Sequence, residues 1–274
     1  MKNWYRIRHR MHGWRAFGPT ILMIGAASCP AAEVADPLLS SASTQADSGW
    51  HLYWPTYLWA AGLKGTTRTL PPLPASKVDM SFSDSLDLLK DAEGGLVTTV
   101  YAHKGRFLLL LDLSWMRVTP SQTATVAGTT VSLESQSDSL AILGAVGYRL
   151  VDAPKLIIDA YLGVKWWSMD NSLSVFAPPV IAAKVSKTET WVDGLIGGQV
   201  RANITDRVFA NAIGFAGTGS SRFVGDLYAG LGYQFNKKWD AFVGYRVQYV
   251  DYENGYFLYD VTQHGPLLGV AAKF

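Results

Sequence analysis

From Trp50 to the C-terminus the chain alternates apolar and polar residues with a period of two. That period puts neighbouring side chains on opposite faces of a sheet, so strands are the main element. Leu156 to Trp167 is the cleanest case. Leu156, Ile158, Ala160, Leu162, Val164 and Trp166 share one face, opposite Asp159, Tyr161, Gly163 and Lys165. The pattern recurs in Thr190–Asn203, Phe223–Phe235 and Trp239–Tyr249. Weaker segments near 50–65, 95–103, 106–118, 137–150, 207–217 and 258–274 bring the expected total to about ten.

The connections alternate in length. His103-Lys104-Gly105, Val151-Asp152-Ala153-Pro154, Thr205-Asp206 and Asn236-Lys237-Lys238 read as tight turns. The links at 66–94, 119–136, 168–189, 218–222 and 251–257 read as longer loops. Short turns at one end and long loops at the other are the pattern of a transmembrane antiparallel up-and-down barrel, and an even strand count leaves both termini on one side. Eight strands is the alternative count. A soluble sandwich or lipocalin-like barrel would alternate in the same way, with its apolar face inward.

Three features favour the membrane barrel. The chain is 49% hydrophobic, 12% aromatic and only 17% charged. Trp50, Trp54, Trp59, Trp115, Trp166, Trp239, Tyr245 and Tyr249 gather at strand ends, where interfacial girdles sit. Leu268, Val270, Ala272 and Phe274 share one parity in the last segment.

The first 32 residues differ. Lys2, Arg6, Arg8, Arg10 and Arg15 precede a short apolar stretch and then Ser28, Cys29, Ala31 and Ala32. This is the order of a secretory signal peptide, and the stretch is too short for a membrane-spanning helix. The expected organisation is a leader at 1–32, a flexible periplasmic segment at 33–48 and a barrel at 49–274. Cleavage would reduce 24 basic residues to 19 against 22 acidic ones. The formal +2 therefore supports no nucleic-acid partner. The only cysteine, Cys29, lies in the leader, so a mature chain would hold no disulfide or catalytic thiol.

Gly230-Leu231-Gly232-Tyr233-Gln234-Phe235, with Trp239, Gly244-Tyr245-Arg246 and Asp251-Tyr252, resembles the penultimate hairpin of a largely uncharacterised group of Gram-negative outer-membrane β-barrel proteins. Tyr259-Asp260-Val261 through Gly265-Pro266-Leu267-Leu268-Gly269 to Phe274 resembles that group's last strand. Val78 to Asp84 resembles its first-loop motif. The resemblance spans roughly 50 to 274 and is architectural. It implies that Phe274 is read as an assembly signal by the outer-membrane assembly machinery.

Candidate functional residues fall into three sets. Asp112, Asp159, Lys165, Asp193, Gln199, Arg201, Asp226, Gln234, Asp240, Arg246 and Gln248 lie on the polar parity and should pair inside a narrow barrel, because an unpaired buried charge is too costly. Phe82, Leu86 and Leu89 recur at helical spacing in the first loop, where Ser81 or Ser83 could cap a short lid. The third set, Asp79, Asp84, Asp87 and Asp91, is best read as a solvated loop. His51, His103 and His264 are not expected at the extracellular rim, and no metal-ligand spacing, cofactor or nucleotide fingerprint is present. The expectation is an outer-membrane structural or surface-interaction barrel with a mostly side-chain-filled lumen, since side chains can fill much of a barrel this small. A narrow, porin-like channel for small solutes or ions is the alternative. A rim hydrolase or acyltransferase acting on lipid or peptide is the second. Expected partners are outer-membrane lipids, periplasmic chaperones and the assembly machinery, with the barrel a monomer.

Overall fold

A computed structural model describes residues 49–70, 74–83, 94–118, 121–126, 129–176 and 182–274. Its strands are β1 (His51–Trp59), β2 (Gly62–Arg68), β3 (Ser76–Met80), β4 (Gly94–Lys104), β5 (Phe107–Val118), β6 (Ser121–Val126), β7 (Thr129–Ala153), β8 (Leu156–Phe176), β9 (Ala182–Asn203), β10 (Val208–Gly219), β11 (Phe223–Gln234), β12 (Trp239–Asn254) and β13 (Phe257–Lys273). The wall runs β1-β4-β5-β7 and then in sequence order to β13, which pairs back onto β1. Every ladder between these strands is antiparallel, and β1 with β2 fills one wall position, giving a closed ten-stranded barrel. β3 and β6 are hairpin partners of β2 and β7.

The expected first strand at 50–65 is interrupted. β1 pairs with the C-terminal half of β13 and β2 with its N-terminal half. Between them, the Ala60 N–H donates to the Pro266 carbonyl at 3.0 Å. Proline has no N–H to return that bond, so the ladder lapses at Ala60-Ala61. Gly265 permits the close approach, since a Cβ there would lie 1.9 Å from the Ala60 carbonyl oxygen. Pro266 causes no bulge. The buried parity is the same on both sides of Pro266, from Phe257 to Val261 and from Gly265 to Lys273, so His264 stays on the outer face.

Two links that read as loops are largely strand. β7, β8 and β9 run 25, 21 and 22 residues, and their ladder continues well past Ser168 and Thr190. The extension is polar on both faces (Ser168, Asp170, Asn171, Ser172, Thr188, Thr190), which erases the period-two signal while leaving the backbone free to pair. The segment 251–257 closes as a two-residue turn with Gly255 at φ 56°.

The outer face fixes how the barrel meets its surroundings. Leu162 is 63% exposed and its near neighbour Lys165 only 1%. On β8 the outward apolar run lasts from Leu156 to Trp166. Ten steps at ~3.3 Å, tilted by ~40°, span ~25 Å, the height of the apolar band on a transmembrane barrel. Exposed aromatics rim the band at the turn end (Trp50, Phe107, Tyr148, Tyr233, Phe235, Trp239) and at the hairpin end (Trp115, Trp166, Phe223, Tyr245). A continuous apolar surface of this kind faces lipid. Trp59 departs from the girdle expected of it. It is buried, faces inward and donates its indole N–H to the Gly265 carbonyl at 3.3 Å.

Arginine at Leu162 or Ile196 should destabilise the barrel in lipid by about 2–4 kcal/mol in denaturant titrations. Ser172→Arg, beyond the band, should cost under ~0.5 kcal/mol. Equal costs at these positions would refute the placement of the band.

Candidate functional site

The inward faces carry the chemistry. Near mid-height, β12 supplies Arg246 and Gln248, β11 Asp226, β8 Lys165, β5 Asp112, β4 Thr99 and β1 Tyr57. Arg246 grips Asp226 with two bonds, Nε to Oδ1 at 2.9 Å and Nη2 to Oδ2 at 2.6 Å. Its Nη2 also reaches Asp112 at 3.4 Å, and Nη1 donates to the Tyr57 hydroxyl at 2.6 Å. Lys165 Nζ and Gln248 Nε2 donate to the same Asp226 oxygen at 3.2 and 2.8 Å. Thr99 donates to Asp112 at 2.7 Å. Two cations and two anions, all buried, neutralise one another. Rings complete the shell, with Trp59 5.2 Å from the Arg246 guanidinium and Trp167 4.4 Å from Lys165 Nζ.

Above this cluster buried aromatics meet across the lumen. Trp167, Trp191 and Tyr252 stack in series at 5.5 and 4.2 Å, flanked by buried Phe257 and Tyr259. Asp193 fixes one end of the stack. It accepts from the Trp167 indole at 3.1 Å and from the Ser221 backbone N–H and hydroxyl at 2.7 and 2.8 Å. Beyond the band, Glu189 accepts from the Tyr252 hydroxyl at 3.0 Å and Asn254 at 2.8 Å, with Lys187 Nζ 3.4 Å away. Partial burial pushes the Glu189 carboxyl up, but the Asn254 and Tyr252 hydrogen bonds and the Lys187 charge outweigh it and hold the carboxyl below its ordinary value.

The turn-end half is looser. Arg149 pairs with Asp159 at 3.0 Å, and Arg201 lies 3.6 Å over the Phe209 ring. Tyr161, Gln199 and Asn211 form a chain with bonds of 3.2 and 2.9 Å. Lys273 Nζ sits 2.9 Å from Asp240 as an ion pair without hydrogen-bond alignment. Two cavities of about 70 and 80 Å³ lie here and share Tyr53, Tyr101, Gln199, Phe209 and Asn211 in their walls. His51 and His103 face each other across β1 and β4 and stack at 4.8 Å. His103 thus belongs to a strand and not to the turn expected for it.

All members of the expected polar set face inward, but they do not form one network. Asp112, Lys165, Asp226, Arg246 and Gln248 meet at mid-height. Asp193 binds a tryptophan and a serine instead of a cation. Asp159, Gln199, Arg201 and Asp240 lie toward the turn end, where Gln234 is only half-buried. Arg149, Lys273 and Ser221 went unread in the sequence. Arg149 and Lys273 hide among small or apolar residues of their own parity, Ala145 and Gly147 in one case and Leu267 and Ala271 in the other. In the first loop Phe82 is 47% exposed, which argues against a packed lid at that residue, and Ser81 and Ser83 bond to each other at 2.7 Å. Asp79 lies in β3. Leu86, Leu89, Asp84, Asp87 and Asp91 fall outside the described residues, as do the expected leader and the segment 33–48. No group of three or more His, Cys, Asp or Glu able to hold a metal occurs among the described residues.

Neither a family model nor any curated protein matches the sequence. Among solved structures, the outer-membrane protease OmpT from Escherichia coli is similar, with a TM-score of 0.54 at 8% identity, covering 86% of this chain and 100% of that one. The chain has the fold of an outer-membrane β-barrel. The translocator domain of the autotransporter NalP from Neisseria meningitidis aligns at a TM-score of 0.46 with 12% identity, covering 82% of this chain and 88% of its own. At 8% identity the likeness to OmpT speaks to the fold and not to activity.

Asp226→Ala should strand two buried cations and cost about 3–5 kcal/mol of stability. Adding Lys165→Met, Arg246→Met and Asp112→Asn, which removes every charge of the cluster together, should restore most of it, as a thermodynamic cycle in lipid or detergent would show. Glu189 makes a pH prediction. Its folded carboxyl titrates below the unfolded one, so its stabilisation is complete above the ordinary glutamate range and fades as pH falls through the lowered value. Glu189→Gln should flatten the acid-side loss of amide protection in the β8–β9 extension, and an unchanged acid limb would contradict the assignment.

Proposed function

We propose that this protein is an outer-membrane barrel with a side-chain-filled, non-conducting lumen, whose work is to present the long β7–β8–β9 strands at the cell surface as an interaction platform. The observation that carries the reading is the packing of side chains across the upper lumen. The neutral Arg246–Asp226–Asp112–Lys165 cluster lies beneath the Trp167–Trp191–Tyr252 stack, and one of the two cavities is walled at its inner end by Asp112, Asp226 and Arg246. An ion would have to displace paired charges in a low-dielectric interior. The strands above the band supply the other half. β7, β8 and β9 run 25, 21 and 22 residues, about twice what crossing requires, and their ladder continues beyond the band through a largely polar stretch.

In this reading the short turns lie in the periplasm, reached after removal of the leader at 1–32. Phe274 supports such a route, since its backbone N–H and carbonyl both pair with Leu52 and seat the last residue in the closing seam. Its side chain is 70% exposed on the outer face. The enzyme reading has less support. His51 and His103 sit at the turn end, and His264 faces lipid, bonded to the Tyr245 hydroxyl at 2.7 Å. None stands at the hairpin-end rim, where a surface hydrolase would need its base.

Two measurements test the proposal together. Purified barrel in a planar bilayer should give no ion current, and steady unitary conductance would overturn the filled lumen. In intact cells, a cysteine at Ser172 should react with a membrane-impermeant maleimide while one at Lys237 should not, and the reverse result would invert the barrel. Cys29 in the expected leader is the only native cysteine, so the background is clean.

A further inference from the structure

We infer that the turn end of the barrel carries a binding ring for anionic phospholipid headgroups of the leaflet it borders. The inference rests on the membrane-barrel reading. Its observation is the charge of the four turns. The β4–β5 turn holds Lys104 and Arg106, the β7–β8 turn Lys155, the β10 approach Arg207 and the β11–β12 turn Lys237 and Lys238, all exposed. Exposed acidic side chains among the described residues of these turns are Asp152 and Asp206, and Asp152 already faces Arg149 at 3.8 Å. Beyond the hairpin end of the band the signs mix and pair instead, as in Arg117 with Asp138, Arg222 with Asp251 and Glu253, and Arg68 with Glu253. The basic excess is therefore local to one end.

Position decides the ligand. The bases follow directly on the aromatic rim at the foot of the apolar band. Arg207 Nη1 reaches the hydroxyl of Tyr233, an exposed rim residue, at 3.4 Å. Arg106 is anchored by bonds to the carbonyls of Arg149 and Leu150 at 3.1 and 3.4 Å, beside exposed Phe107. When the band spans hydrocarbon, these cations stand at headgroup depth. Phosphodiester oxygens are the anions present there around the whole circumference. Lysine meets them as a point charge and arginine as a two-pronged donor. A ring that engages several lipids at once needs only weak individual contacts.

The test uses full-length barrel refolded into phosphatidylcholine vesicles with and without a minor fraction of phosphatidylglycerol. Native mass spectrometry then counts co-purified lipids. Wild type should retain phosphatidylglycerol about tenfold over its share of the bilayer, and the preference should shrink as salt rises. The variant K104E/R106E/K237E/K238E should lose it, and the milder K237Q/K238Q should lose part, which covers a failure of the first to fold. R68E/R222E, at the other end, should keep it. Proportional retention by wild type, or a preference surviving both turn variants, would overturn the ring. Failure to insert into pure phosphatidylcholine would instead strike the membrane-barrel reading, so the two are told apart. Loss of the preference in R68E/R222E alone would also overturn the inference by moving the lipid contact to the hairpin end.

Discussion

Hydrocarbon offers no hydrogen bonds, so each backbone N–H and C=O within the band must find its partner in the wall. The closing seam meets that demand here in two pieces. β13 pairs with β1 over its second half and with β2 over its first, and the gap between them coincides with Pro266, which has no N–H to give. Gly265 brings the strands close enough at that point for Ala60 to bond Pro266, and the Trp59 indole caps the Gly265 carbonyl from inside. The aromatic that reads as interfacial in the sequence thus serves the seam.

Closure dictates the interior. A ten-stranded wall is too wide for single apolar side chains to meet across it and too narrow for bulk water to screen charge. Asp226 is held by residues from two wall positions, Arg246 and Gln248 on β12 and Lys165 on β8, while Arg246 reaches on to Asp112 on β5 and Tyr57 on β1. The Lys165–Asp226, Arg246–Asp112 and Arg246–Tyr57 bonds join strands that share no ladder, so they tie the wall together as well as fill it. Such a cluster is neutral and satisfied only when complete, which makes it a device for specifying one barrel shape more than a source of raw stability.

Much of this was legible in the sequence, because lipid enforces the alternation. Wherever one face meets hydrocarbon, Leu162 and Lys165 have to part, and the strand and its facing can both be read. Past Ser168 and Thr190 the outer face no longer meets hydrocarbon, polar residues enter both parities, and the longest strands look like loops. The inward face was harder for a related reason. Its parity admits Gly147, Ala145 and Ala271 as readily as Arg149 and Lys273, so a charge there is not announced by its neighbours. Which inward groups meet depends on strand tilt and stagger, which a single chain's pattern does not encode. Hence Asp193 could be placed in the lumen, but not beside Trp167 and Ser221.

The two ends of the lumen differ, and the difference follows from what each strand set must do. At the hairpin end, long β8 and β9 continue past the band, and a ladder without lipid around it needs another source of order. The Trp167–Trp191–Tyr252 stack and the Glu189 bonds supply it, linking β8 and β9 to β12 across the lumen just where the wall leaves the membrane. At the turn end the strands are joined by tight turns that hold their own register, so the side chains inside are relieved of that task. There the interior relaxes into cavities walled by Tyr53, Tyr101 and Phe209. Aromatic packing thus concentrates at the end whose strands reach furthest, and it follows from that extension.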